Sequence, residues 1–227
     1  SVVVIDNNDL KIQSLQQGRS PIHEHAVESL LSQLHHRIQF TTDYAALSKA
    51  NIILLAVGTP AKNNGHADTR YVEQAAAALA EHLQADREYC VVVKSTVPIG
   101  SNQRVAKQVQ RVLRERACNA QVHFASNPEF LREGRALADM LYPDRIVVGC
   151  DNIYAEYWLR DMYKSIINQT FVPPAKLPRA ASFTPPPMLV TDVASAELIK
   201  YAANAFLAIK VSFANEMANL CERLGAD

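Results

Sequence analysis

Glycine is scarce in this sequence. Seven glycines stand in 227 residues, under half the average usage of about 7%. None of them forms the Gly-x-Gly-x-x-Gly turn that lets a backbone approach a pyrophosphate. A surplus of charge is missing too. With 23 basic and 23 acidic side chains the formal net charge is zero, which argues against nucleic acid or an anionic membrane as the main partner. No apolar run reaches the roughly 18 residues that span a bilayer, and no signal-peptide pattern opens the sequence. The four cysteines, Cys90, Cys118, Cys150 and Cys221, lack the short spacings of a metal site and read as reduced thiols of a cytoplasmic protein.

What is present is apolar and regular. Hydrophobic residues make up 48% and charged residues 20%, enough for one large domain, or one and a half, and too apolar for disorder. Val2–Ile5 is a short β-branched run of the kind buried in parallel sheets, and similar runs recur at 38–41, 51–57, 90–94, 122–125 and 145–149. Helical patterns fall between them, with a helix expected at 43–50 and an alanine-rich one at 71–83. This alternation predicts an α/β fold. Asp6, closing the first run, can cap the next helix or hydrogen-bond both hydroxyls of a ribose, and its position is compatible with either. Thr59 in Gly58-Thr59-Pro60 and the hydroxyls of Lys94-Ser95-Thr96 stand at the carboxyl ends of strands. Ligands gather there in open α/β sheets, although ordinary turn chemistry also places hydroxyls there. Arg145 is a candidate for anion contact or for pairing with Asp144, the pairing being favoured, and Cys150 has no cation or histidine near it in sequence to activate its thiol.

The most informative stretch is Asn127-Pro128-Glu129-Phe130-Leu131-Arg132-Glu133-Gly134. Asn127 suits a helix N-cap and Pro128 the first helical position. A helical turn there puts Glu129 and Glu133 on one face, where they repel unless a cation, proton or ligand lies between them. Taken alone, the reading as a solvated helix start prevails. An edge strand is expected at 170–172, followed by a linker at 173–187 that holds six prolines. One long helix follows over 192–224, with Leu198, Ala202, Phe206, Ile209, Phe213, Met217, Leu220 and Leu224 on an apolar stripe and Lys200 and Asn204 on another line. Both ends read as cut, since a strand opens the sequence and a helix all but closes it.

Lys94-Ser-Thr-Val-Pro, Asn127-Pro-Glu-Phe-Leu-Arg-Glu-Gly, Pro143-Asp-Arg-Ile-Val and Lys200-Tyr-Ala-Ala-Asn-Ala-Phe-Leu-Ala occur in order. Together they resemble the UDP-glucose/GDP-mannose dehydrogenase family, on its UDP-glucose 6-dehydrogenase side, over essentially the whole chain. The resemblance implies a Rossmann-like doubly wound parallel sheet lacking its first strand (1–172), a proline-rich linker (173–187), and the start of a central helical dimerisation domain (188–227). It implies NAD as cofactor, a UDP-sugar as substrate, and a homodimer built on the 192–224 helix. The reaction would carry a sugar C6 alcohol through an aldehyde and a cysteine thioester to a carboxylate. By the same resemblance Asp6, Lys11, Thr59, Thr96 and Glu133 bind the cofactor, and Glu129, Phe130, Leu131, Lys200 and Asn204 meet the substrate. Thr96, Glu129, Glu133, Lys200 and Asn204 are the catalytic candidates, with Lys200 facing a developing oxyanion.

Two departures accompany the resemblance. The glycine-rich phosphate loop is missing, and none of the four cysteines sits in the glycine-rich setting of the family's nucleophile, which lies beyond the long helix. In strand order 3-2-1-4 the first strand is central, so its loss leaves the second and fourth strands with unpaired edges. The expectation is an inactive and poorly stable fragment of a nucleotide-sugar 6-dehydrogenase acting on UDP-glucose. The alternatives are GDP-mannose or a UDP-N-acetylhexosamine as substrate, or a non-catalytic dimerising relative.

Overall fold

The β-branched runs become strands, most deeply buried at Glu88–Val93 and Ile146–Cys150. In the computed structural model, which describes residues 2–226, β1 (Val2–Ile5) pairs in parallel with β2 (Ile38–Thr41). A second sheet runs in the order β3 (Ile52–Leu55), β4 (Glu88–Val93), β5 (Gln121–Ser126), β6 (Ile146–Cys150) and β7 (Met188–Thr191). Ser1 and Asp227, the outer limits of the expected units, lie outside the described residues. The helices are α1 (Asp9–Gln16), α2 (Val27–Leu34), α3 (Arg70–His82), α4 (Ser101–Glu115), α5 (Ala136–Leu141), α6 (Ile153–Ile167) and α7 (Val193–Leu224).

Strand β4 shows why the fold is doubly wound. Its side chains alternate between faces. Tyr89, Val91 and Val93 join a core with Val72, Ala76 and Leu79 of α3 and Val105, Val109 and Val112 of α4. Cys90 and Val92 join the opposite core, with Ala155, Leu159 and Tyr163 of α6. With helices on both faces, this interior strand carries no polar side chain between Tyr89 and Val93. The architecture is the expected α/β Rossmann-like one. No strand among the described residues joins β1 to β3, so the two sheets stay separate and each presents an unpaired edge there.

The structure corrects three expectations. The sheet is not wholly parallel, because β6 runs antiparallel to β5, with Ala125 opposite Cys150. Between them the only helix, α5, has six residues and rises only about 9 Å, so the chain never returns to the amino end of the sheet. No strand forms at 170–172, where Pro173 and Pro174 remove donors; the edge strand is β7 instead, parallel to β6. The helix at 43–50 is a short 3-10 run, Tyr44–Lys49, capped by the Asp43 carboxylate, which accepts from the Ala45 N–H at 2.8 Å.

Strand β7, in the stretch assigned from sequence to the helical unit, adds the fifth strand to the sheet, and α7 starts directly after it. The Asp192 carboxylate caps α7 by accepting from the Ser195 N–H at 2.8 Å, and Gly225 ends it in the left-handed region at φ 67°. Its first turns bury Val193, Ala196, Glu197 and Lys200, which share one face. That face lies on β6 at Gly149, where a Cβ would stand 2.5 Å from the Ala196 Cβ and 2.8 Å from both the Asp192 carbonyl oxygen and the Val193 Cα. Two of these three atoms are backbone, so nothing nearby yields without moving the helix. Gly149→Ala is therefore expected to destabilise the fold by about 1–3 kcal/mol. Urea unfolding checks this, and an unchanged midpoint would show that α7 does not depend on this approach.

Candidate active site

The Asn127–Gly134 motif leaves the carboxyl end of β5 as irregular chain with a turn at Glu133–Gly134, and no helix starts at Asn127. The reason is that the Asn127 side chain is used elsewhere. It is 1% exposed, donates from Nδ2 to the Val147 carbonyl at 2.8 Å, and accepts at Oδ1 from the Tyr163 hydroxyl at 2.5 Å. A side chain committed to β6 and α6 cannot also cap a helix. This irregular run carries Glu129 to α7, where its Oε1 meets the Lys200 Nζ at 2.9 Å. Lys200 is only 6% exposed. The other carboxylate oxygen accepts from the Leu131 N–H at 2.6 Å. Burial works to raise the Glu129 carboxyl, but the Lys200 and Leu131 hydrogen bonds and the charges of Lys200 and Lys94 outweigh it and hold the group below its ordinary value. Glu129 is thus held ionised, half-buried beside a lysine that is withdrawn from water. The Phe130 ring lies beside it, with the Lys200 ammonium 5.4 Å and the Arg145 guanidinium 4.3 Å from its centroid. Arg145 is not in an ion pair with Asp144, contrary to expectation; its cation rests on the aromatic face.

A second lysine, Lys94 at the end of β4, sits under the same motif. Its Nζ donates to Asn127 Oδ1 at 3.2 Å and, at 3.4 Å, to both the Asn127 carbonyl and the Tyr163 hydroxyl oxygen. All three partners are neutral. Burial pushes this ammonium down to about 8; attraction to Glu129 opposes the shift and repulsion from Lys200 adds to it. Lys94, Asn127, Glu129, Phe130, Arg145 and Tyr163 line one cavity of about 90 Å³ at the carboxyl end of the sheet.

The other candidates divide into groups. Thr59 donates from Oγ1 to the Thr96 carbonyl at 2.7 Å, joining the ends of β3 and β4. Ser95 adds bonds to the Leu55 and Val57 carbonyls. Asp6 lies at the end of β1, ion-paired with Lys11 and accepting from the Asn8 N–H at 3.0 Å. The cap of α1 is Asn8, which accepts from the Lys11 N–H, so the capping role open to Asp6 belongs to another residue. Glu133 is exposed in a turn and does not share a helical face with Glu129, and Asn204 is exposed one turn beyond Lys200. Burial pushes the Cys90 thiol up to about 12 and raises that of Cys150 too, so neither suits a nucleophile. Lys94, Asn127, Tyr163 and the Arg145–Phe130 contact escaped the sequence reading. Only Lys94 carried a signal, as a charge ending an otherwise apolar strand.

The donors fit a dinucleotide. A part-exposed carboxylate (Asp6) and two threonine sites (Thr59, Thr96) stand at the carboxyl ends of β1, β3 and β4, the rim where such cofactors lie. Residues 1–167 match the sequence model of the UDP-glucose/GDP-mannose dehydrogenase family's NAD binding domain, and residues 194–227 match that of the family's central domain. A UDP-glucose 6-dehydrogenase of Rickettsia felis is 41% identical across all of this chain, which covers 46% of it. A UDP-glucose dehydrogenase structure from Pyrobaculum islandicum is 39% identical with a TM-score of 0.84, over 99% of this chain and 48% of that one. A GDP-mannose dehydrogenase structure from Pseudomonas aeruginosa is 30% identical with a TM-score of 0.85, over the same shares. The chain thus spans about half the length of the relatives it matches.

The Lys94 shift has a consequence for stability. Its folded value of about 8 lies below the ordinary 10.5, so between those values the unfolded chain binds more protons and stability rises with pH. Below about 8 the fold carries the full penalty of a buried ammonium. Lys94→Met is expected to raise stability at pH 7 by on the order of 1–3 kcal/mol and to flatten the rise between pH 8 and 10. Urea unfolding of both proteins at pH 7, 8.5 and 10 measures this, and parallel pH curves would refute it.

Proposed function

Because the chain belongs to the UDP-glucose/GDP-mannose dehydrogenase family, we propose that it carries the cofactor side and part of the sugar side of a nucleotide-sugar 6-dehydrogenase that converts UDP-glucose to UDP-glucuronate. The observation that carries this reading is the contact of buried Lys200 with half-buried Glu129 at the carboxyl end of the sheet. A fixed cation withdrawn from water is suited to an oxygen that gains negative charge as its carbon is oxidised. NAD held at this rim by Asp6, Lys11, Thr59 and Thr96 would supply the hydride acceptor for the two oxidations at the sugar C6 carbon. Lys200 stabilises the oxyanion that develops on the C6 oxygen, with Asn204 beside it. Water attack on a thioester between the oxidised C6 carbon and a cysteine not among these residues would release the carboxylate and free the thiol, with Glu129 accepting the water's proton and Thr96 and Glu133 proposed to hold that water. Asp6 accepts from the ribose hydroxyls with Lys11 beside it, Thr59 lines the same crevice, and Phe130 and Leu131 form a wall of the sugar site.

The GDP-mannose reading stays in play because the two solved relatives overlay equally well, at TM-scores of 0.84 and 0.85. The 227 residues alone are proposed to be inactive, since neither a glycine-rich phosphate loop nor a cysteine in the nucleophile's setting is among them. The product, a nucleotide uronate, suits polysaccharide precursors, and the setting proposed is the cytoplasm. No helix among the described residues is long and apolar enough to cross a membrane.

The same reading gives α7 a partner, a second copy of the chain. Beyond Lys200 the helix leaves the sheet and exposes Phe206, Leu207, Ile209, Phe213, Leu220 and Leu224. Such a contiguous apolar surface marks an interface, and an isologous pair of long helices closes on itself. Phe206→Glu with Phe213→Glu is expected to convert a dimer to a monomer in sedimentation velocity, whereas a wild-type monomer would remove the partner. For the reaction, the native protein from its source, with its intact mass measured, is expected to exceed 25.1 kDa and release two NADH per UDP-glucose. Turnover with GDP-mannose alone would select the alternative, and no turnover with either sugar would sink the enzymatic reading.

A further inference from the structure

Helix α4 begins without a cap of its own. Its N-cap position is Gly100, at φ 84° and without a side chain to accept hydrogen bonds. The acceptor comes from another helix. Glu197, 2% exposed on α7, accepts from the Gly100 N–H with one carboxylate oxygen at 2.6 Å and from the Asn102 N–H with the other at 2.8 Å. Two amides aimed at two different oxygens require a carboxylate, since a neutral amide side chain offers one acceptor and turns a donor toward the other N–H. The start of a 15-residue helix also carries about half a positive charge, which an internal anion satisfies.

Glu197 stands one turn before Lys200 on the same buried face. After Lys200 the helix runs largely exposed, so few contacts set its rotation and register on the sheet. Ala196 rests on Gly149, Glu197 holds the α4 amides, and Lys200 meets Glu129. Meanwhile Gly100 ends the turn that carries Thr96, whose carbonyl is tied to Thr59. We propose that Glu197 is a positioning residue: by capping α4 from α7 it fixes Lys200 against Glu129 and keys the lysine to the Thr96 turn. The consequence for catalysis rests on the role given to Lys200 above, but the geometry does not.

The charged groups around Glu197 are few. Arg104 of α4 attracts it, and Arg104 in turn reaches Glu73 of α3. Lys200 follows one turn later on its own helix. Burial raises the Glu197 carboxyl against the pull of the Asn102 and Gly100 amides and Arg104.

The test follows carboxyl and side-chain nitrogen resonances by NMR in the 227-residue chain, in wild type, Glu197→Gln, Lys200→Met and the double variant. With Glu197→Gln the titration midpoint of Glu129 is expected to rise by about one pH unit, as a displaced cation requires. Lys200→Met is expected to produce a similar rise, and adding Glu197→Gln to it should change nothing further. A Glu129 midpoint unmoved by Glu197→Gln, or moved equally with and without Lys200, would overturn the proposal. If Glu197→Gln fails to fold, the wild type decides alone. There the Lys200 nitrogen should respond at two midpoints, one of them shared with the Gly100 and Asn102 amides as Glu197 is protonated. A Lys200 nitrogen that follows Glu129 only would likewise overturn it. Because these readouts need no substrate, they separate a failure of positioning from a failure of the dehydrogenase reading.

Discussion

The carboxyl end of the sheet is organised around one contact between opposite charges that have little water to share. Lys200 is 6% exposed, and its ammonium lies 2.9 Å from Glu129. Withdrawing two ions from water costs several kcal/mol each, and the contact offsets this only while the geometry holds; removing one partner typically costs about 3–5 kcal/mol. Both carriers must therefore be rigid. Glu129 stands two residues from Asn127, which is hydrogen-bonded to β6 and α6. Lys200 stands on the only turns of α7 that are buried in the sheet. The close approach at Gly149 and the Asp192 cap at the start of α7 hold the pair in place.

Local chemistry determines how far such an arrangement can be read from a sequence. The strands Val2–Ile5, Ile52–Leu55 and Glu88–Val93 were legible as β-branched or apolar runs, and α7 was legible from its apolar spacing and Gly225. Lys200 and Glu129 were legible only as members of ordered motifs. By local pattern alone the first is a surface lysine and the second a helix-start carboxylate. Asn127-Pro128 carries every local mark of a helix start, yet the asparagine is consumed by Val147 and Tyr163, 20 and 36 residues away. The same long-range competition explains Glu133, which loses its shared face with Glu129 once the helix is absent. The reversal of β6 was hidden because a run such as Ile146–Cys150 reads identically in either direction.

Lys94 and Lys200 make a natural comparison inside one site. Both are withdrawn from water on the carboxyl side of the sheet, but Lys200 has a carboxylate partner while Lys94 has only neutral oxygens. Solvation lost by Lys200 is returned as ion pairing, whereas for Lys94 it is returned only in part. Burial therefore lowers the Lys94 ammonium to about 8, and the fold holds it under Glu129 at a stability penalty. A residue retained against stability, in a cavity beside a buried ion pair, has the character of a functional group.

The same logic applies to the helix N-termini along this rim. Elsewhere an N-terminus at the end of a strand is the preferred seat of a phosphate, through its unpaired amides and partial positive charge. Helices α1, α6 and α7 spend theirs on their own caps, Asn8, Asn152 and Asp192. Helix α4, which follows the Thr96 turn, has no capping side chain of its own, and its first amides are taken by Glu197. An incoming phosphate at that point would have to displace a buried carboxylate and endure its repulsion. The Thr96 turn is thus left with hydroxyl and carbonyl groups to offer and no helix dipole, which suits a ribose or a water better than a phosphate. One internal carboxylate in this way decides both where the long helix sits and which part of a nucleotide the neighbouring turn can hold.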